Sequence, residues 1–178
     1  MVTALVTALV LASAAAFAQS PHAGLQTRPV KALSEQQVAD LRAGRGMGLA
    51  LAAELNGYPG PLHVLELADR LDLSAEQRSK VQQLFDSMKA EAIPVGSQLI
   101  EQEMELDRLF ATRTITAERL KAMTASIAET QGALRDTHLK YHLSTAGLLS
   151  QHQMQRYAEL RGYSGGNTHH QHQHRQHH

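Results

Sequence analysis

The sequence predicts an all-α protein built around a long antiparallel helical hairpin with short flanking helices. Helix-forming residues dominate its 178 positions, whereas aromatic residues make up only 4% and tryptophan is absent, which leaves too few large flat side chains for a typical β-sandwich core. A helix-start pattern, L-S-x-x-Q, occurs three times. Apolar residues also recur at spacings of three and four along two long segments, which is the period of an amphipathic helix.

Residues 1–18 have the character of a signal peptide. Their apolar run ends in the small-residue sequence A-F-A at 16–18, which resembles a cleavage site, so we expect export. Thr7 and Ser13 interrupt a run already shorter than the ~20 residues of a bilayer span, so no stable span is expected after cleavage. No Lys or Arg precedes the run, which leaves an uncleaved anchor or a misplaced start as alternatives.

The three L-S-x-x-Q copies mark the beginnings of helices. In such a capping box the serine hydroxyl accepts a hydrogen bond from the amide three residues on, and the glutamine side chain at that position bonds back to the serine amide. The pattern predicts helices that begin after Ser34, Ser74 and Ser150.

A turn cluster, N-G-Y-P-G-P at 56–61, divides the chain. We expect an N-terminal helical extension over 19–60 and a helical hairpin domain over 61–163. Pro61 suits the first turn of a helix, and a short helix is predicted from there to about Leu71.

Two long amphipathic helices form the predicted hairpin. The first begins after Ser74, and Pro94 should kink or divide it. Thr112–Thr114 is the expected reversal, after which Thr116 caps the second helix. A single hairpin leaves part of its seam uncovered, so we expect short helices and a second subunit, making a homodimer, to cover it. The second helix carries apolar residues at Leu120, Met123, Ile127, Leu134, Tyr141 and Leu148.

His138 and His142 are candidate metal ligands, because their spacing places both imidazoles on one face of the second helix. Counting outward from the reversal puts Glu91 near His138 and Met88 or Asp86 near His142, and His63 on the short helix could reach the same cluster. The alternative is an exposed histidine pair at the border of the apolar stripe, with Met88 serving only in packing.

Residues 164–178 are expected to form a disordered, histidine-rich tail. Six of the eleven histidines lie there, and imidazole suits zinc, copper, nickel and iron. An expression tag and a natural His/Gln drift are the alternatives. The candidate ligands in the tail are His169, His170, His172, His174, His177 and His178.

The copies at 73–77 and 149–153 resemble the LTxxQ motifs of the Spy/CpxP superfamily. The signal peptide and the helical composition of this chain are also similar to those of that superfamily. The resemblance covers about residues 61–161, with Ser in place of Thr in every copy, and it implies a Spy/CpxP-like hairpin dimer. That superfamily includes periplasmic stress chaperones and metal-binding proteins of the ZraP and CnrX type. CnrX-type relatives carry a methionine second in the ligand pair, where this chain has His142, a departure that implies a harder site.

The histidines and the resemblance together predict a periplasmic protein that binds a divalent transition metal (zinc, nickel, cobalt or copper) in heavy-metal sensing, buffering or resistance. An inner-membrane signalling protein is then the expected partner. The alternative is an ATP-independent chaperone that holds unfolded envelope proteins. The 17 basic and 17 acidic side chains balance, which argues against nucleic acid. An enzyme is not expected, because the glycine-rich run at 44–48 lacks the other parts of a phosphate loop and no catalytic motif occurs.

Overall fold

The computed structural model of the protein describes residues 20–163, which contain helices and no strands. The predicted all-α class is therefore confirmed for this part of the chain. The predicted signal peptide and the histidine-rich tail lie outside the described residues. After a short 3₁₀ turn at Leu25–Thr27 the helices are α1 Glu35–Arg42, α2 Leu51–Glu54, α3 Pro61–Glu66, α4 Ala75–Ala111, α5 Ala117–Ala146 and α6 Gln151–Leu160.

The long helices α4 and α5 pack against each other as the predicted antiparallel hairpin. Thr112 ends α4, Arg113 turns the chain with a φ of 56°, and the Thr116 hydroxyl caps α5 by accepting from the Arg119 amide. Pro94 lies inside α4 without dividing it, so the division considered from the sequence does not occur. No helix within residues 20–163 is both long enough and apolar enough to cross a membrane.

The short helix α3 ends earlier than the sequence pattern predicts. It stops at Glu66 rather than near Leu71, because the chain tightens into turns, with the Ala68 amide bonding the Leu65 carbonyl. Asp72 then adopts a φ of 49° before α4 begins. These turns bury Leu71 beside α4 and α6 in a core cluster with Val64, Val81 and Tyr157.

The extension shares a hydrophobic core with the hairpin. Val30 and Leu41 are buried together with Leu99, Ile127 and Leu134. Helix α1 crosses α4 at Gly96, where an added Cβ would lie 2.7 Å from the Leu41 carbonyl oxygen. Burial of these side chains accounts for the position of the extension against both long helices.

Three of the six apolar residues predicted on the seam of α5 are not buried. Met123 is half-buried, and Leu148 is half-buried and lies beyond the end of α5 at Ala146. Leu120 is 38% exposed, whereas Ile127, Leu134 and Tyr141 on the same helix are buried as predicted. Leu120 lies one turn after the reversal, so the buried part of the α5 face begins further along the helix.

All three capping boxes are present, at Ser34, Ser74 and Ser150. The glutamines of the second and third copies do more than cap. The Gln77 amide nitrogen donates to the Gln153 side chain at 2.9 Å, and the Gln153 nitrogen donates back at 3.1 Å. The same nitrogens also bond the Leu148 and Leu71 carbonyls. The repeated motif therefore joins the start of α4 to the start of α6.

Replacing Gln153 by alanine should lower the free energy of unfolding by about 2–3 kcal/mol. The change removes the bond that caps α6, and it takes away the hydrogen-bond donor of the Leu71 carbonyl and of the Gln77 side chain. Gln37→Ala is the matched control. Gln37 holds the same position in the first copy but is exposed and bonds only its own cap, so about 1 kcal/mol is expected. Both unfolding free energies are measured in urea. If Gln153→Ala and Gln37→Ala lower them equally, the bonds between Gln77 and Gln153 do not stabilise the contact between α4 and α6.

Candidate metal site

Four of the five candidate ligands predicted within the folded part of the chain line one cavity of about 230 Å³. They are His63 on α3, Met88 on α4, and His138 and His142 on α5. The cavity lies between the hairpin and the loops on either side of α2. Folding therefore brings these residues together from three separate helices.

His138 and His142 are buried, with exposures of 2% and 8%, so the alternative of an exposed pair at the border of the apolar stripe is wrong. The extension covers this border. An added Cβ at Gly46 would lie 3.3 Å from Nδ1 of His138, and one at Gly60 would lie 2.8 Å from Nε2 of His142. Glycine at these two positions is what allows the backbone to approach the rings.

Hydrogen bonds orient two of the rings. Nδ1 of His142 lies 2.7 Å from the Tyr58 carbonyl oxygen, and Nδ1 of His63 lies 2.8 Å from a Glu66 carboxylate oxygen. Both partners can only accept, so Nδ1 carries the hydrogen in each ring. In the neutral ring Nε2 then holds the free lone pair, and second-shell bonds of this kind orient histidines that ligate metals.

The third ring has a nitrogen without a partner. Nε2 of His138 is buried and forms no hydrogen bond with any of the residues that the structure describes. Burial, and after it the neighbouring His142, lower the pKa of His138. His138 is therefore held in the neutral form that binds metals, at a cost of about 1–3 kcal/mol for its unsatisfied nitrogen.

Glu91 lies outside the cavity, and the expected contact with His138 does not form. Its carboxylate accepts hydrogen bonds from the Tyr141 hydroxyl at 2.6 Å and from Lys140. The bond from Lys140, followed by that from Tyr141, lowers the pKa of Glu91. The Glu91 carboxylate thus contacts α5 about one helical turn further along than the count predicts.

Counting outward from the reversal holds for Gln102 near the turn and fails for Glu91, on the far side of Pro94. Gln102 bonds Ser126 across the hairpin at 2.8 Å, as the count predicts. Glu91 lies on the far side of Pro94 from the turn, where one helical hydrogen bond is missing. The count assumes two straight, regular helices, so the error appears after this interruption.

A buried carboxylate that sequence reasoning missed lies beside the histidines. Glu54 is 6% exposed, and its oxygens accept from the Tyr157 hydroxyl at 2.5 Å, the Tyr163 hydroxyl at 3.2 Å and the Gly60 amide at 3.2 Å. Burial, and then the bond to Glu54, raise the pKa of Tyr157. The one signal in the sequence is that Glu54 is the sole charged residue between Leu49 and Leu55.

The histidines and carboxylates near the cavity do not by themselves form a complete metal site. Within residues 20–163, no three His, Cys, Asp or Glu side chains are close enough together to hold a metal ion. His63 is the ring with freedom to move, since 36% of its side chain is exposed. The buried pair on α5 supplies two nitrogens, and a third ligand must come from elsewhere in the cavity.

No model of a known protein family matches this chain, and no curated protein or solved structure shows significant similarity to it. Function is therefore argued from the site itself. The six candidate ligands of the tail lie outside the described residues.

Replacing Glu91 by glutamine should leave metal affinity unchanged, because its carboxylate faces Lys140 and Tyr141 rather than the cavity. The lost ion pair is half exposed, so unfolding free energy should fall by about 0–1 kcal/mol. Isothermal titration and urea unfolding measure the two effects. A tenfold loss of metal affinity in Glu91→Gln would contradict this prediction and show that Glu91 is a metal ligand.

Proposed function

We propose that this chain is a periplasmic metal-binding protein of the Spy/CpxP type, which holds a transition-metal ion in the histidine cavity during heavy-metal sensing, buffering or resistance. One observation supports the proposal above all others. The buried Nε2 of His138 has no hydrogen-bond partner among the described residues, and the His138 side chain belongs to the same cavity as His142. A structural histidine would be hydrogen-bonded, whereas a ligand keeps its lone pair for the ion.

The residues present suit such an ion. His138 and His142 are the primary ligands, and a change of rotamer at the half-exposed His63 would bring a third imidazole. The carboxylate of Glu66 orients His63 as a second-shell acceptor. Imidazole donors suit zinc, nickel, cobalt and copper, and the six histidines of the tail are further donors of the same type.

The experiment removes the tail's contribution without shortening the chain. In the tail-substituted chain, all six histidines of 164–178 are replaced by asparagine. Isothermal titration of this chain with Zn²⁺, Ni²⁺, Co²⁺ and Cu²⁺ should show one bound equivalent for at least one of the ions. Binding seen only in the unsubstituted chain would refute the cavity as a metal site.

An ATP-independent chaperone is the second candidate function, supported by exposed apolar side chains beside the cavity. Met47, Leu51, Leu55, Tyr58 and Leu62 are between 40% and 57% exposed within one short segment. A surface of this kind can hold an unfolded client. Suppression of client aggregation that is unaffected by a chelator, and that is lost on Leu55→Asp, would favour this function over metal binding.

We also propose a homodimer, and an inner-membrane signalling protein as the partner of a metal sensor. The same exposed segment at 47–62 supports an interaction with another protein. Analytical ultracentrifugation of the metal-free and metal-loaded protein tests the dimer. The molar mass obtained should be twice that of one chain.

A further inference from the structure

We infer that the histidine cavity prefers Cu(I) over zinc, because Met47 and Met88 line it and supply thioether sulfur as the remaining ligands. This inference rests on the proposed metal site and specifies its ion. Both methionines border the cavity together with His138 and His142. Thioether sulfur is a soft donor that selects Cu(I), whereas zinc, nickel and cobalt are better served by nitrogen and oxygen.

Met47 is held at the cavity at a cost to the backbone. It has a φ of 45°, in the left-handed region that non-glycine residues seldom occupy, and its neighbour Gly48 has a φ of 82°. A non-glycine residue in this region costs about 1 kcal/mol or more. Met47 is also 42% exposed, so its side chain is not there to fill the core. Strain on an exposed methionine at a histidine cavity is explained by a role in binding.

Met88 belongs to the cavity lining from a different element, helix α4. It lies on α4, is 7% exposed, and lines the cavity with the two buried imidazoles of α5. The sequence placed Met88 on the apolar face of α4, where packing alone could account for it. Its place on the cavity wall adds a sulfur atom to the available donors.

Oxygen donors near the cavity are already engaged. Both carboxylate oxygens of Glu54 accept hydrogen bonds, from Tyr157 and Tyr163 on one oxygen and from the Gly60 amide on the other. Glu66 is bonded to His63. The donors left for an ion are therefore imidazole nitrogen and thioether sulfur. His138, His142 and His63 would give zinc at most three protein ligands, whereas the two thioethers add the soft donors that favour Cu(I).

The test compares two ions in the tail-substituted chain. Cu(I) affinity is measured without oxygen by competition with bathocuproine disulfonate, and zinc affinity is measured by competition with a chromogenic zinc chelator. The variants are Met47→Leu and Met88→Leu, which conserve volume, and their folding is checked by circular dichroism. Met104→Leu is the matched control, since Met104 is an exposed methionine of α4 that does not line the cavity.

Each cavity variant should weaken Cu(I) binding by about tenfold and the double variant by about a hundredfold, with zinc affinity changed less than about twofold and Met104→Leu without effect. Unchanged Cu(I) affinity in both variants would overturn the inference. So would an equal loss for both ions. In either case, if His138→Leu abolishes the binding of both Cu(I) and zinc, the proposed metal site is still supported and only the preference for Cu(I) is wrong. If the tail-substituted chain binds neither ion, the proposed function fails as well.

Discussion

Replacing His138 by leucine is expected to abolish metal binding in the cavity while raising the unfolding free energy of the metal-free protein by about 1 kcal/mol. Both effects arise from one atom, the buried Nε2, which has no hydrogen-bond partner within the described residues. An unsatisfied buried polar group destabilises a fold by about 1–3 kcal/mol, and leucine of similar size removes it. Gain of stability with loss of binding is the signature of a residue kept for function.

The neighbouring histidine provides the contrast. His142→Leu should also abolish binding, but it should lower the unfolding free energy by about 1 kcal/mol, because the bond from His142 to the Tyr58 carbonyl is lost. His152→Leu, at an exposed position of α6, should alter neither quantity. Urea unfolding and isothermal titration of the tail-substituted chain measure both. If His138→Leu destabilises the fold and leaves binding intact, His138 is a packing residue.

Replacing Glu54 by alanine should lower the unfolding free energy by about 3–4 kcal/mol, the largest effect we expect from a single change outside the apolar core. The carboxylate joins α2 to Tyr157 of α6 and to the Gly60 amide ahead of α3. Tyr157 is 2% exposed, so its hydroxyl would be left buried without an acceptor. The Gly60 amide would lose its bond in the same way.

Glu54→Gln separates charge from hydrogen bonding. Its amide oxygen can still accept from Tyr157, so a loss of about 1–2 kcal/mol is expected. Because Gly60 packs against the ring of His142, Glu54→Ala should also weaken metal binding, by disturbing that backbone. A change in unfolding free energy below 1 kcal/mol for Glu54→Ala would contradict the role we give to this carboxylate.

Local features of the fold could be predicted from the sequence, because their causes are local. The helix starts after Ser34, Ser74 and Ser150 depend on bonds that span three residues, and all three are present. The reversal near Thr112 follows from helix stop and start signals of the same range. Pairing of Gln77 with Gln153 was not predictable, because it joins two helices that are distant in sequence.

The lining of the cavity could be predicted only in part, and each difference has its own physical reason. His138 and His142 were identified from their spacing on one helix, but their burial depends on the extension, whose close approach at Gly46 and Gly60 has no periodic signal. Glu91 was misplaced because the count assumed regular helices on both sides of Pro94. Met47 was overlooked because a lone methionine in a glycine-rich turn shows no pattern.

The most direct test of the central claim is the ring-nitrogen NMR spectrum of the tail-substituted chain, recorded before and after one equivalent of zinc. Zinc serves here because it is diamagnetic, although Cu(I) is the ion we infer to be preferred. If His138 and His142 bind one ion through Nε2, these two nitrogen resonances should shift together and in proportion to the zinc added, while those of His152 stay in place. Unshifted resonances of His138 and His142 at saturating zinc would contradict the metal site.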